Sequence, residues 1–168
     1  MILAVEVRAE EILRELPFGR CEMVEIGVHR GALSERLLAA RPDLTLYMVD
    51  LWERTADYPG ERSEAYAAAT GRTMRYGSRA QILVGESVKW ANSFHDASLD
   101  LAFIDADHSY EAVKADIEAW GPKVKPGGVL GGHDYRDDKD YGVIQAVNEA
   151  FPKGLRLGRN HCWFVTWA

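Results

Sequence analysis

The sequence predicts an α/β protein with a doubly wound, mostly parallel seven-stranded sheet and an antiparallel C-terminal hairpin strand. Three observations lead there. Short β-like runs alternate with longer helix-like runs through most of the chain, which implies parallel strands with helices on both faces. The last two β-like runs are joined through Gly158-Arg159-Asn160, a connection so short that it can only make an antiparallel pair. The residues of unusual chemistry follow the β-like runs, and ligands in open α/β sheets sit outside the carboxyl ends of the strands.

Each element has its own signal. Residues 3–16 space Leu3, Val5, Ile12, Leu13 and Leu16 for a helix, and Pro17-Phe18-Gly19 ends it. Residues 21–26 form the first strand, stopped by Gly27. Residues 34–40 form a helix with Leu33, Leu37 and Leu38 on one face, closed by Arg41-Pro42-Asp43. The second strand, 44–51, carries Asp50 near its end. Tyr58-Pro59-Gly60 is a turn, and the alanine-rich stretch 61–74 is helical. Strand three covers 81–84, a short helix 87–94, and the strongly apolar strand four 99–104. Residues 110–120 are a helix with Val113, Ile117 and Trp120 on one face. After the turn at Pro126-Gly127-Gly128 come strand five at 129–132, a helix at 142–151, and two final strands at 155–157 and 162–167.

The chain has 168 residues, which suits one domain spanning 1–168. Its net charge of −6 argues against nucleic acid or an anionic membrane as partner. No apolar run is long enough to span a bilayer, and the start lacks the basic and apolar regions of a signal peptide. Cys21 and Cys162 make no disulfide framework and read as buried small hydrophobes. A reducing, cytoplasmic setting is the expectation.

The first strand runs into Glu25-Ile26-Gly27-Val28-His29-Arg30-Gly31. Gly27 lets the backbone turn sharply and approach a ligand closely. Gly31 permits either close helix packing or a second close approach, and the following helix offers free N–H groups to an anion or carboxylate. A dinucleotide site would place glycine at 25 and 30, where this chain has Glu25 and Arg30. Asp50 lies about twenty residues on, as a ribose-binding acid should. Leu51 and Trp52 follow it; they could lie against a base, and Trp52 could equally pack in the core. Gly85, Glu86 and Ser87 end strand three, where Ser87 could contact a ligand or cap the next helix.

The densest chemistry lies after strands four and five. Asp105-Ala106-Asp107-His108-Ser109-Tyr110-Glu111 follows the one, and Gly131-Gly132-His133-Asp134-Tyr135 ends the other. Neighbouring central strands bring Asp105, Asp107, His108, His133 and Asp134 together, and so many ionisable groups call for a cation or a reaction to serve. Carboxylates suit Mg²⁺ or Ca²⁺, and imidazole shifts preference toward Mn²⁺, Fe²⁺ or Zn²⁺. Asp107 could instead cap the next helix, and His108 could sit in solvent.

The pattern Glu-x-Gly-x-x-x-Gly resembles the first motif of class I S-adenosylmethionine (SAM)-dependent methyltransferases, a Rossmann-like family. Asp-Ala-Asp-His-Ser-Tyr-Glu, Lys-Pro-Gly-Gly and Gly-His-Asp-Tyr resemble small metal-dependent O-methyltransferases of the macrolide-sugar and catechol type, and the cephalosporin hydroxylase-like group. The likeness covers roughly residues 20–168. It implies SAM held by Glu25, Gly27, Val28, Gly31, Asp50, Leu51, Trp52, Gly85, Glu86, Ser87 and Asp105. It implies a divalent metal, Mg²⁺ or another, on Asp105 and Asp134. His133 stands where those relatives have the first acid of a pair, and is a metal ligand or a base. His108 is the other candidate base. The expected reaction is O-methylation of a small hydroxylated acceptor such as a sugar, a natural product or a catechol.

Other readings are a nucleotide-dependent oxidoreductase, a non-haem iron oxygenase using His108, His133 and Asp105, and a non-catalytic SAM-binding module. Candidate lids are residues 53–62 and 136–141. Arginines 54, 62, 72, 75 and 79 read more readily as a solvated face than as a greeting for an acidic substrate. A second copy of the chain, in a homo-oligomer, could complete the pocket.

Overall fold

The computed structural model describes residues 2–52, 62–139 and 141–168. Its strands are β1 (Cys21–Ile26), β2 (Leu44–Asp50), β3 (Ala80–Val84), β4 (Leu99–Ile104), β5 (Val124–Gly132), β6 (Arg156–Leu157) and β7 (Trp163–Thr166). Helices are α1 (Ile2–Glu15), α2 (Ala32–Ala40), α3 (Arg62–Thr73), α4 (Ser87–Ala91), α5 (Tyr110–Trp120) and α6 (Val143–Ala150). The strands form one sheet in the order β3-β2-β1-β4-β5-β7-β6. All pairings from β3 to β5 are parallel, while β7 runs antiparallel to both its neighbours. The seven-stranded, mostly parallel architecture is thus the expected one, with the antiparallel strand lying one place in from the edge.

Successive side chains of the central strands feed opposite layers, as the two-residue strand period requires. Met23, Leu101 and Phe103 pack with Leu33, Leu37 and Ala69 on one face. Val24, Ala102 and Ile104 pack with Val113, Ile117 and Val147 on the other. Helices on both faces explain why β4 reads as a near-continuous apolar run.

The fifth strand departs from expectation. The turn predicted at Pro126-Gly127-Gly128 lies inside β5, where the register with β4 jumps between Leu99↔Val124 and Leu101↔Val129. The looped-out segment is tied to the chain end by Gly127 N–H donating to Trp167 O and Trp167 N–H donating to Gly128 O, both at 2.8 Å. Tertiary pairing thus absorbs a turn motif into the sheet.

Among the described residues no helix is long and apolar enough to cross a membrane.

Candidate active site

A cleft of about 690 Å³ runs along the carboxyl ends of the parallel strands. It extends from Glu25, Gly27 and Asp50 past Gly85 and Ser87 to Asp105, His108, His133 and Asp134, with Val5 and Arg8 of α1 also on its wall.

The glycine turn is built by backbone demands. Gly27 adopts φ 89°, and its N–H donates to Val49 O at 2.9 Å. Of the two roles open to Gly31, the structure shows close helix packing: a Cβ there would lie 2.8 Å from Ala69 Cα on α3. Asp50 fixes the turn from across the sheet. Its carboxylate accepts from the N–H groups of Val28 and His29 at 2.8 Å each, and from Trp52 at 2.6 Å. Trp52 is 3% exposed, and its indole N–H donates to His29 O at 2.8 Å, so the ring packs into the core. Leu51 stays exposed on the cleft wall.

Glu25 is 1% exposed beneath the turn, and Ser34 of α2 donates its hydroxyl to it at 2.5 Å. Burial pushes its carboxyl up to about 8 despite that bond. Unfolded, the group ionises near 4.5; folded, it keeps its proton until about pH 8. Its contribution to stability is therefore intact below pH 4.5 and is lost as pH rises toward 8. Glu25→Gln keeps the Ser34 bond without this penalty. Its stability relative to the parent should rise between about pH 5 and pH 8 by roughly 2–4 kcal/mol, since a tenfold change in proton affinity is worth about 1.4 kcal/mol. Urea unfolding at the two pH values measures it, and parallel curves would refute it.

At the end of β3, Glu86 rather than Ser87 is the N-cap of α4. The Ser87 hydroxyl accepts from the Trp120 indole N–H at 2.7 Å and bonds the Asp116 carboxyl. Asp116 is buried, which raises its carboxyl to about 6, and it lines the cleft beside Ser87.

Asp105, His108, His133 and Asp134 converge as expected. Asp134 Oδ2 lies 2.8 Å from His108 Nε2 and 3.0 Å from His133 Nδ1, which is also 3.4 Å from Asp105 Oδ1. Neither imidazole nitrogen is aligned for a hydrogen bond, although both are buried. Both nonetheless lie at ion-pair distance from the Asp134 carboxylate. Burial alone would raise the Asp134 carboxyl, but the two imidazoles hold it well below the usual carboxylate range. Burial likewise lowers the His133 imidazolium, but Asp105 and Asp134 outweigh it and lift it to about 9. Its contact with Asp134 raises His108. One atom each from Asp105, His108 and Asp134 lie within 4.8 Å of one another, a group able to hold a metal ion. The donor set, two carboxylates and an imidazole with unaligned nitrogens, fits a divalent cation. The structure brings His108 into this group, where the sequence pointed to His133. Asp107 lines the same cleft but is not in this group; it accepts from Ser109 N–H at 2.7 Å, and Ser109 rather than Asp107 caps α5.

Two residues at this site, Arg8 and Asn160, escaped the sequence reading. Arg8 of α1 forms an ion pair with Asp105. Asn160, in the turn between β6 and β7, has its Oδ1 3.2 Å from His133 Nε2. Tyr141, the last residue of the candidate lid 136–141, stacks on the His108 ring at 4.4 Å, and residue 140 lies outside the described residues. Residues 53–61 of the other candidate lid, Arg54 included, and the Arg62 side chain lie outside the described residues. Arg72 and Arg75 bond Glu35, and Arg79 bonds the carbonyls of Leu38, Arg41 and Leu44, all away from the cleft.

A family model described as a methyltransferase domain matches residues 24–135, well over half of the chain. The chain belongs to this methyltransferase family. The family implies SAM as cofactor and a small-molecule methyl acceptor. The chain is 29% identical over 136 residues to y4gI, an uncharacterised protein of Sinorhizobium fredii, covering 73% of this chain and 15% of that protein. It thus spans under a sixth of the length of this curated relative. Among solved structures it is similar to CalS11, a TDP-rhamnose 3'-O-methyltransferase of calicheamicin biosynthesis, with TM-score 0.70 and 17% identity over 96% of this chain and 77% of that one. A candidate caffeoyl-CoA O-methyltransferase of Staphylococcus aureus gives TM-score 0.64 and 18% identity over 96% and 81%. These likenesses establish the fold. The methyltransferase match also replaces the oxidoreductase reading, which Glu25 and Arg30 had already disfavoured.

Proposed function

We propose that the chain, as a single domain over residues 1–168, transfers the methyl group of SAM to a hydroxyl oxygen of a small acceptor held among Asp105, His108, His133 and Asp134. The observation that carries this reading is the single cleft joining the glycine turn and Asp50 to the histidine and aspartate cluster. Its volume, about 690 Å³, is within the range of small-ligand sites.

In this reading the amino-acid end of SAM lies over Gly27 and Val28, above Glu25 and near the start of α2 at Gly31. Asp50 uses its remaining lone pairs for the ribose hydroxyls. Leu51 and the Gly85-Glu86-Ser87 segment flank the adenine, with Asp116 on the same wall, while Trp52 supports the turn from below. Asp105 borders both the methyl group and the acceptor. The acceptor oxygen attacks the methyl carbon in line, a C–O bond forms as the S–CH₃ bond breaks, and S-adenosylhomocysteine leaves. Holding the two reactants in line supplies much of the rate.

A divalent cation on Asp105, His108 and Asp134 would lower the pKa of the acceptor hydroxyl and relieve His133 of the carboxylate charge that holds its proton. Relieved of that charge, His133 Nδ1 would be able to accept the hydroxyl proton, with Asn160 holding the ring through Nε2. Of the two roles the sequence left open for His133, this reading takes the base, while His108, a candidate base in the sequence, becomes the ligand.

Thermal unfolding with SAM, S-adenosylhomocysteine or NAD, each with and without EDTA, tests the cofactor. A ligand at a hundred times its Kd adds about 2.7 kcal/mol, or roughly 5–10 °C for a chain of this size. A shift with SAM and none with NAD is expected. A shift with NAD alone would overturn the reading.

A further inference from the structure

The acidic cluster already holds a cation of its own. Arg8 projects from α1 to pair with Asp105, the residue at which the glycine turn and the metal-capable group meet. Both side chains are largely buried, and Arg8 Nε has no hydrogen-bond partner. Arg8 therefore sits in the cluster by charge, with part of its bonding capacity unmet.

The helix carrying it is held elsewhere. Glu11 accepts from Arg159 Nε at 2.7 Å and from Arg159 N–H at 3.2 Å, Glu10 pairs with the same guanidinium, and Glu15 pairs with Arg156. Glu6 pairs with Arg36 of α2. These ties keep α1 in place whichever partner Arg8 has, so the guanidinium can leave Asp105 without undocking the helix.

A divalent ion on Asp105, His108 and Asp134 needs the Asp105 charge that Arg8 now neutralises. It would also approach a fixed positive charge through a medium that screens poorly. His133 is 8% exposed, and its Nδ1, which makes no aligned hydrogen bond, faces the same two carboxylates and remains available to a bound group there. We propose that Arg8 is the resident cation of the cluster and sets its affinity for divalent metal: the ion enters by displacing Arg8 from Asp105. This rests on the metal-assisted reading above. It makes α1 a determinant of which ions are admitted, because only a tightly bound ion outcompetes the guanidinium.

The test is Mn²⁺ binding to the full chain, followed by the paramagnetic resonance signal of free Mn²⁺, for the parent, Arg8→Gln, Arg8→Lys and Asp134→Asn. Arg8→Gln should bind Mn²⁺ about tenfold or more tightly than the parent. Arg8→Lys should stay nearer the parent, and Asp134→Asn should weaken binding in either background. Circular dichroism confirms folding; should Arg8→Gln not fold, Arg8→Met replaces it, retaining apolar bulk without the charge. Equal affinity in parent and Arg8→Gln, with Asp134→Asn still weakening both, would overturn the role of Arg8 and leave the metal site standing. No saturable Mn²⁺ binding in any variant would remove the metal site and this proposal together.

Discussion

Gly27→Ala should lower stability by about 3 kcal/mol or more and abolish SAM binding. A Cβ at this position would lie 2.1 Å from Asp105 O, 2.5 Å from Asp105 C and 2.7 Å from Ala106 Cα. All three are backbone atoms, and the Asp105 peptide is itself pinned by its N–H donating to Ile26 O at 2.7 Å. Strand β4 or the glycine turn would have to move, which typically costs about 1–3 kcal/mol. The φ of 89° adds roughly 1 kcal/mol or more for a residue with a Cβ. Gly127 separates the two effects. It has φ 82°, and no heavy atom lies within 4 Å of where its Cβ would sit, so Gly127→Ala should lose only about 1 kcal/mol. Urea unfolding of both variants, with SAM affinity by calorimetry, gives the comparison. If Gly27→Ala loses no more than Gly127→Ala, the close approach of turn and strand is wrong.

Asp134→Asn should cut methyl transfer by about a hundredfold or more and leave SAM affinity within a few-fold of the parent. Asp134 has φ 56°, a conformation that asparagine tolerates well, so the exchange removes charge with little backbone strain. It removes the carboxylate facing both His108 and His133, and changes to metal ligands or their supporting groups cost roughly 10–100-fold or more. Conversion of SAM to S-adenosylhomocysteine, with catechol and a nucleotide sugar as acceptors, measures it. Unchanged turnover with an acceptor that the parent methylates would move the chemistry away from this cluster.

The alternation of elements was legible because short β-like runs are cut off from helical ones by glycine and proline turns, and because burial on both sheet faces leaves a strong apolar signature in β4. The glycine turn and Asp50 were legible for a different reason. Their function depends on residue types at fixed local spacing, and the Asp50 bonds to Val28 and His29 N–H span only 22 and 21 residues. The convergence of Asp105 and Asp134 followed from placing β4 beside β5. Arg8 left no such trace: it meets Asp105 across 97 residues, and an arginine among the glutamates of an amphipathic helix looks like a solvated one. Asn160 was hidden likewise, since its link to His133 depends on β7 inserting between β5 and β6. The β5 extension was missed because Pro126-Gly127-Gly128 is locally a turn, and only the bonds of Gly127 and Gly128 to Trp167 make it part of the sheet.

The insertion of β7 also bears on the order in which the molecule is assembled. Strands β1 to β4 can pair among themselves, but β5 gains its outer neighbour only from the last strand, and α1 is clasped to the β6–β7 turn across 148 residues. Contacts so distant in sequence are closed late and slowly. The helix that carries Arg8 therefore takes its final seat against the cleft only once the last strands have joined the sheet.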